Sequence, residues 1–510
     1  MSSFVSTKNS TSGSLASDAT YTGTGEEVFR YSSVTVNIFS TENGATNGIK
    51  IEFSQDNSNW DQIYIDTYYA NKHYHRIHVI ASRYYRIVYV NGSAGCTYRI
   101  QSVISMVIDS DMLPAPSASD AFDRIRVCDP YTLLQISHNA GKSAHWVYES
   151  TTTGGTSTHQ TAQSAVDMAV DTTNAAQVLR QSRLYTPYQP GKSLLIMLTG
   201  VLNANSNGTD CISRIGYFDT DDGIYFEYTS STVYVVKRSS TTNTRVAQSA
   251  WNVDPMDGTG PSGLVLDASK VQIFVIDMQW LGSGSVRLGF DIENKIKYVH
   301  IFIHANLIGT TYMSRATLPI RYQITNNGTT SGSGTLKMIC GTVISEGGFE
   351  PLGEIYSATR ASELTATTTL KPLISIRVKS TFPKNPAKLS SVQTMSTATN
   401  IFAIYFIYLY QSPSSDTAVL NAGTPSWTSA GTNSIIEYDT AATGMTTDGG
   451  RLIHVGYVSK AEQIGTVAFN APVYLTSDAD GKPDILVLSV KTTSSSGSVI
   501  GAISWTEFIT

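Results

Sequence analysis

The sequence predicts an all-β protein built from three consecutive antiparallel β-sandwich modules, the central one jelly-roll-like. Two observations carry this expectation. Apolar residues recur with period two in short runs along the chain, and helical periodicity is nearly absent. The intervals between runs are filled with Gly, Ser, Thr and Asn, the residues that turns require. Charged residues make up only 15% of the 510 positions, so neutral polar side chains must supply most of the surface.

Residues 1–25 contain no apolar run and read as a polar N-terminal arm. They also lack the basic and apolar regions of a signal peptide, so no classical secretion route is expected. A small sandwich follows over residues 26–108. Val34, Val36 and Ile38 share one strand face, as do Ile49, Ile51 and Phe53, and the intervening STENGATNG carries an Asn-Gly hairpin signal. YHRIHVI, YYRIVYVNGS and CTYRIQSVI continue the pattern. Residues 109–160 begin with the Pro/Ser-rich DSDMLPAPSASD and read as a linker and connecting segment.

The dense short strands of residues 161–347, with no helix to cross over between them, predict the central jelly roll. EGGFEPLGE marks the next boundary, and residues 348–510 read as a C-terminal sandwich. Within it, IFAIYFIYLY (401–410) is apolar on both faces and must be covered on both, inside a sheet or by another subunit. That run and SLLIMLTGVL (193–202) are far shorter than the roughly 20 residues that cross a bilayer, so no membrane insertion is expected. The net charge of −5, without a run of Lys and Arg, argues against nucleic acid as a partner. Cys96, Cys128, Cys211 and Cys340 match no zinc spacing and read as free thiols.

Several segments invite a chemical reading. NVDPMDGTGPSGLVLD (252–267) resembles a loop holding catalytic acids, but Asp254 and Asp257 stand among prolines and glycines, where aspartate usually accepts turn N–H groups. FDTDDGIYF places Asp219, Asp221 and Asp222 before Gly223, most simply a hairpin turn. HYHRIH puts His73 and His75 on one strand face, with His78 on the other and no second ligand cluster nearby. SDADGKPD is the strongest metal candidate. Asp478, Asp480 and Asp484 fit D-x-D-G-x-x-D, in which a glycine turn lets carboxylates converge on Ca²⁺. No nucleophile elbow, phosphate loop or dinucleotide fingerprint occurs, so neither a catalytic residue nor a cofactor other than calcium is expected.

VTVNIFS, IEFSQDNSNWD, RYYRIVYVNGSAG and SDAFDRIRVCDPYTLL resemble virion structural proteins of tailed bacteriophages and marine DNA viruses. The central block resembles them most, in YQPGKSLLIMLTGVL, SRIGYFDTDDGIYF, the segment from WNVDPMDG to VRLGF, and ICGTVISEGG. The resemblance covers about three quarters of the chain and thins beyond residue 380. Asp123 and Cys128 depart from it, where more neutral residues are expected. It implies a non-enzymatic particle component: a capsid decoration, head fibre or tail-associated protein, assembled in the host cytoplasm. Its partners would be other virion proteins and copies of itself, with a trimer favoured by analogy with fibres. The rival expectation is a carbohydrate-binding adhesin or depolymerase acting on host-surface glycan. Its mark would be exposed aromatics beside an acidic pair in a cleft, and 28 Tyr and 6 Trp are available to make one.

Overall fold

A computed structural model describes residues 3–29, 31–105, 120–121, 129–328, 333–397, 401–458, 465–469 and 472–508. The DSDMLPAPSASD linker falls almost entirely outside them, as do Asp123 and Cys128. Every strand pairing is antiparallel, and six sheets of five to eight strands account for nearly all regular structure. The chain divides into two compact units, one of Met1–Ala118 with Met256–Val265, the other of Ser119–Pro255 with Leu266–Thr510. Among the described residues no helix is long and apolar enough to cross a membrane.

In the first unit, Ser33–Ser40 lies between Cys96–Ser105 and Tyr74–Val79, while Gly44–Ser54 lies between Tyr84–Asn91 and Gln62–Asp66 in a second sheet. Val34, Val36 and Ile38 of one sheet share a core with Ile49, Ile51 and Phe53 of the other. The expected Asn-Gly hairpin is therefore absent: residues 41–43 turn a corner between sheets. Two strands that each bury one full face are better served by facing each other than by pairing edge to edge. The second Asn-Gly has a different use, with Asn47 left-handed (φ 59°) inside a register shift between Gly44 and Ile49.

The polar arm is also corrected. Ser3–Val5 and Thr11–Leu15 pair with Cys96–Ser105, and Thr20–Thr22 and Glu26–Glu27 pair with Tyr84–Asn91. A ladder is made by backbone groups, so it needs no apolar side chain. Buried Asn9 fixes the crossing, donating to the Thr24 carbonyl and accepting from the Ile87 N–H.

The connecting segment is likewise structured from residue 131. Tyr131–Ile136 and Gly155–Gln160 join one central sheet of eight strands, and Val147–Thr151 is the edge of the other, of seven. Between Ala165–Val170 and Cys211–Phe218 the chain changes sheet at each step, the jelly-roll habit. Phe226 of the seven-stranded sheet packs 5.1 Å from both Phe274 and Phe290 of the eight-stranded one. The Tyr322 hydroxyl reaches across to the carbonyls of Thr199 (3.1 Å) and Cys340 (3.0 Å) beside a bulge.

In the C-terminal sandwich, Gly497–Glu507 is central to one sheet and Ile485–Thr492 to the other. Ala403–Tyr410 lies between Ile485–Thr492 and Arg451–Tyr457. Tyr405, Ile407 and Leu409 enter the core, and Ile404, Phe406 and Tyr408 are half-buried on the far face. Among the described residues Cys96 and Cys211 are buried and Cys340 is half-buried, and none of the three is in a disulfide.

Candidate functional site

Two of the three acids of residues 252–267, Asp257 and Asp267, close their own turns. Asp257 is exposed and its Oδ1 accepts from the Thr259 N–H (2.9 Å) and hydroxyl (2.6 Å), which hold its carboxyl below the usual range. Asp267 does the same with Ser269. Asp254 is buried, and its N–H donates to the Val299 carbonyl. FDTDDG is a hairpin in which Asp219 Oδ1 accepts from the N–H groups of Asp221 (2.8 Å) and Asp222 (2.9 Å). His75 Nδ1 bonds Asn37, while His78 packs tilted against Tyr64 and His73 lies against Phe39.

The calcium candidate does not assemble. Asp478 Oδ1 accepts from the N–H groups of Asp480 (3.0 Å) and Lys482 (2.8 Å), with Gly481 left-handed (φ 81°) to tighten the turn. Asp480 turns the other way and accepts from the Tyr148 hydroxyl at 3.0 Å. Asp484 is buried and accepts from the Ser412 N–H (3.0 Å) and the Thr476 hydroxyl (2.9 Å). Among the described residues no group of three His, Cys, Asp or Glu is gathered as a metal would need. The spacing is right, but donors remote in sequence draw the carboxylates apart.

Asp478 and Asp480, with Tyr148, Ser412 and Lys482, line a cleft of about 460 Å³ between the central and C-terminal sandwiches, inside the second unit, and Asp484 is buried behind it. Tyr148, on the edge strand Val147–Thr151, forms one wall, and Gln411 and the 478–482 turn form the other. Its groups are held firmly. Arg183 lies over the Tyr148 ring at 5.7 Å, donates to Ser412 Oγ (3.1 Å) and approaches Asp484 at 3.8 Å. Gln411 donates to the His145 carbonyl (2.9 Å) while its own carbonyl lies 3.2 Å from His145 Nδ1. Glu149 is tied to Lys142, Ser157 and Arg180, which outweigh burial and hold its carboxyl below the usual range. Burial, with Asp480 assisting, pushes the Tyr148 phenol up to about 12, so it stays a donor at neutral pH.

Burial also pushes the Asp484 carboxyl up to about 6, against Arg183, Thr476 and Ser412, which pull it down. An acid whose pKa is higher folded than unfolded binds its proton more tightly in the folded state. Stability therefore falls as pH rises from the unfolded value of 3.8 through about 6. Asp484→Asn is expected to remove that slope. Melting curves of both proteins at about pH 4 and about pH 7 should differ in their pH dependence by an amount on the order of 3 kcal/mol. Parallel pH profiles would show that Asp484 titrates normally.

Neither Tyr148 nor Arg183 was marked by the sequence. Tyr148 is 332 residues from Asp480, and no local pattern signals a pairing at that distance.

Residues 2–103 match the family described as the N-terminal domain of the uncharacterised protein YqxG. No curated protein matches the chain. A solved protein of unknown function from Shewanella oneidensis MR-1 is 11% identical, with 47% of this chain and 92% of that one covered and a TM-score of 0.31. The PBSX exported protein XepA is 12% identical, with 65% and 84% covered and a TM-score of 0.18. Botulinum neurotoxin type C, whose cell entry is described as dependent on two ganglioside molecules, is 9% identical, with 72% and 97% covered and a TM-score of 0.27.

Proposed function

We propose that this chain is a non-enzymatic structural protein of a virion surface, a capsid decoration, head fibre or tail-associated component that contributes to host attachment. The observation that carries this reading is the bare edge of the first sandwich. Gln62–Asp66 and Tyr74–Val79 each pair on one side only among the described residues, and lie close enough for the Tyr64 and His78 rings to meet with centroids 4.9 Å apart. They expose Ile63, Tyr64, Ile65, Ile77 and Val79. Soluble monomers normally protect such edges, and apolar ones are the usual substance of subunit contacts. The turn-closing roles of Asp219, Asp257, Asp267 and Asp478 also suit stiff building pieces better than acid–base chemistry. Light scattering at micromolar concentration tests the reading, together with antibody labelling of intact particles. A homo-oligomer, a trimer by analogy with fibres, and labelled particles are the expected results. A monomer absent from particles would refute it.

A second reading, an adhesin that holds host-surface glycan, is favoured by the cleft, where an aromatic ring stands beside Asp478 and Asp480.

A further inference from the structure

We infer that the cleft between the central and C-terminal sandwiches is a binding site for a neutral oligosaccharide. The inference rests on the second reading above and specifies its site and ligand class.

Volume comes first: about 460 Å³ lies within the range of small-molecule sites. Charge comes second. At neutral pH Glu149, Asp478, Asp480 and the Asp484 behind Arg183 stand against Lys142, Arg180, Arg183 and Lys482, four negative groups against four positive. Such a lining has no net field to hold a phosphate or sulfate, and its carboxylates do not converge on a cation. It does offer acceptors and donors side by side. A sugar hydroxyl both donates and accepts, so a ligand rich in hydroxyls can pair with both kinds at once.

The third point is which atoms face the ligand. Asp478 meets both turn N–H groups through Oδ1, leaving Oδ2 as an acceptor. Lys482 joins the turn through its backbone N–H, is half-buried and is one of the residues of the lining. The half-buried Tyr148 ring, with exposed Ala144, supplies apolar surface for the C–H faces of a sugar. The last point is rigidity. Tyr148, Arg183 and Gln411 are each fixed by a partner on the opposite wall, so little ordering remains for the ligand to impose. Because the walls belong to two sandwiches, a bound sugar also ties them together and raises the melting temperature of the chain.

The test uses the full chain on an array of neutral and sialylated oligosaccharides, with Lys482→Ala and Asp480→Asn as variants and melting curves to confirm folding. The wild-type chain is expected to retain neutral glycans, and each variant to weaken the best ligand roughly tenfold or more with little change in melting. Preference for sialylated glycans, or undiminished binding by both folded variants, overturns the inference and leaves the adhesin reading standing. Retention of no glycan at all overturns both.

Discussion

Replacing Lys384 with alanine is expected to destabilise the second unit by about 3 to 5 kcal/mol, as removal of one partner from a buried ion pair typically does. The Lys384 ammonium lies 2.6 Å from a carboxylate oxygen of Asp219 and 2.6 Å from one of Asp221, joining a C-terminal loop to a hairpin of the central sandwich. Asp219 is the critical partner because only 1% of its side chain is exposed. Burial alone would raise its pKa, but Lys384 and the N–H groups of Asp222 and Asp221 overcome that and hold it below the usual range. Without Lys384 a carboxylate is left in a site from which water is excluded. Urea unfolding should show the loss in full at neutral pH, and Lys384→Ala combined with Asp219→Asn should recover much of it. The pH dependence has a definite sign. An acid with a lowered folded pKa stabilises above its unfolded value and loses that contribution as pH falls through the folded one. Lys384→Ala should therefore lose less stability than the wild type on acidification. A variant as stable as the parent would show that the pair contributes nothing to the seam.

Trp505→Ala should cost a similar amount, roughly 3 to 5 kcal/mol, by a different route. Trp505 is fully buried on Gly497–Glu507 and belongs to the core shared by both C-terminal sheets. Its indole N–H donates to Glu507 Oε1 at 2.8 Å. Glu507, also fully buried, accepts in addition from the Ser434 hydroxyl (2.5 Å) and the Ile435 N–H (2.8 Å). Alanine leaves a cavity and removes one of three donors from a buried carboxylate. Trp505→Phe fills most of the volume, and should recover over half of the loss in thermal melts. Equal melting of the alanine variant and the parent would mean that the core refills the space.

Much of the fold was legible because burial imposes a period. Val34, Val36 and Ile38 alternate for the same reason that they face Ile49, Ile51 and Phe53, so reading the pattern was reading the core. Residues 3–27 were illegible on the same ground. Thr11–Leu15 pairs through backbone atoms that every residue carries, and its side chains report nothing of the ladder. The cleft was legible only by half. SDADGKPD stood out as a cluster of acids, but its role is set by Tyr148, Arg183 and Ser412, which fold against it from hundreds or scores of residues away. Lys384 has the same history, an unremarkable lysine until the fold places it against Asp219.

The order in which strands find their partners bears on how the chain is made. Ser3–Val5 pairs with residues 103–105, Tyr131–Ile136 with the Gly334–Ser345 strand, and Glu354–Thr359 with the Gly497–Glu507 strand. An opening strand of each sandwich thus leaves the ribosome long before the segment that completes its sheet. In the central sandwich Leu134 and Thr342, hydrogen-bonded in the finished fold, are 208 residues apart. At translation rates of about 5 to 20 residues per second, that interval lasts roughly 10 to 40 seconds. During it the nascent polypeptide carries sticky, half-built sheets, which makes chaperone supply and expression temperature the natural controls on its yield.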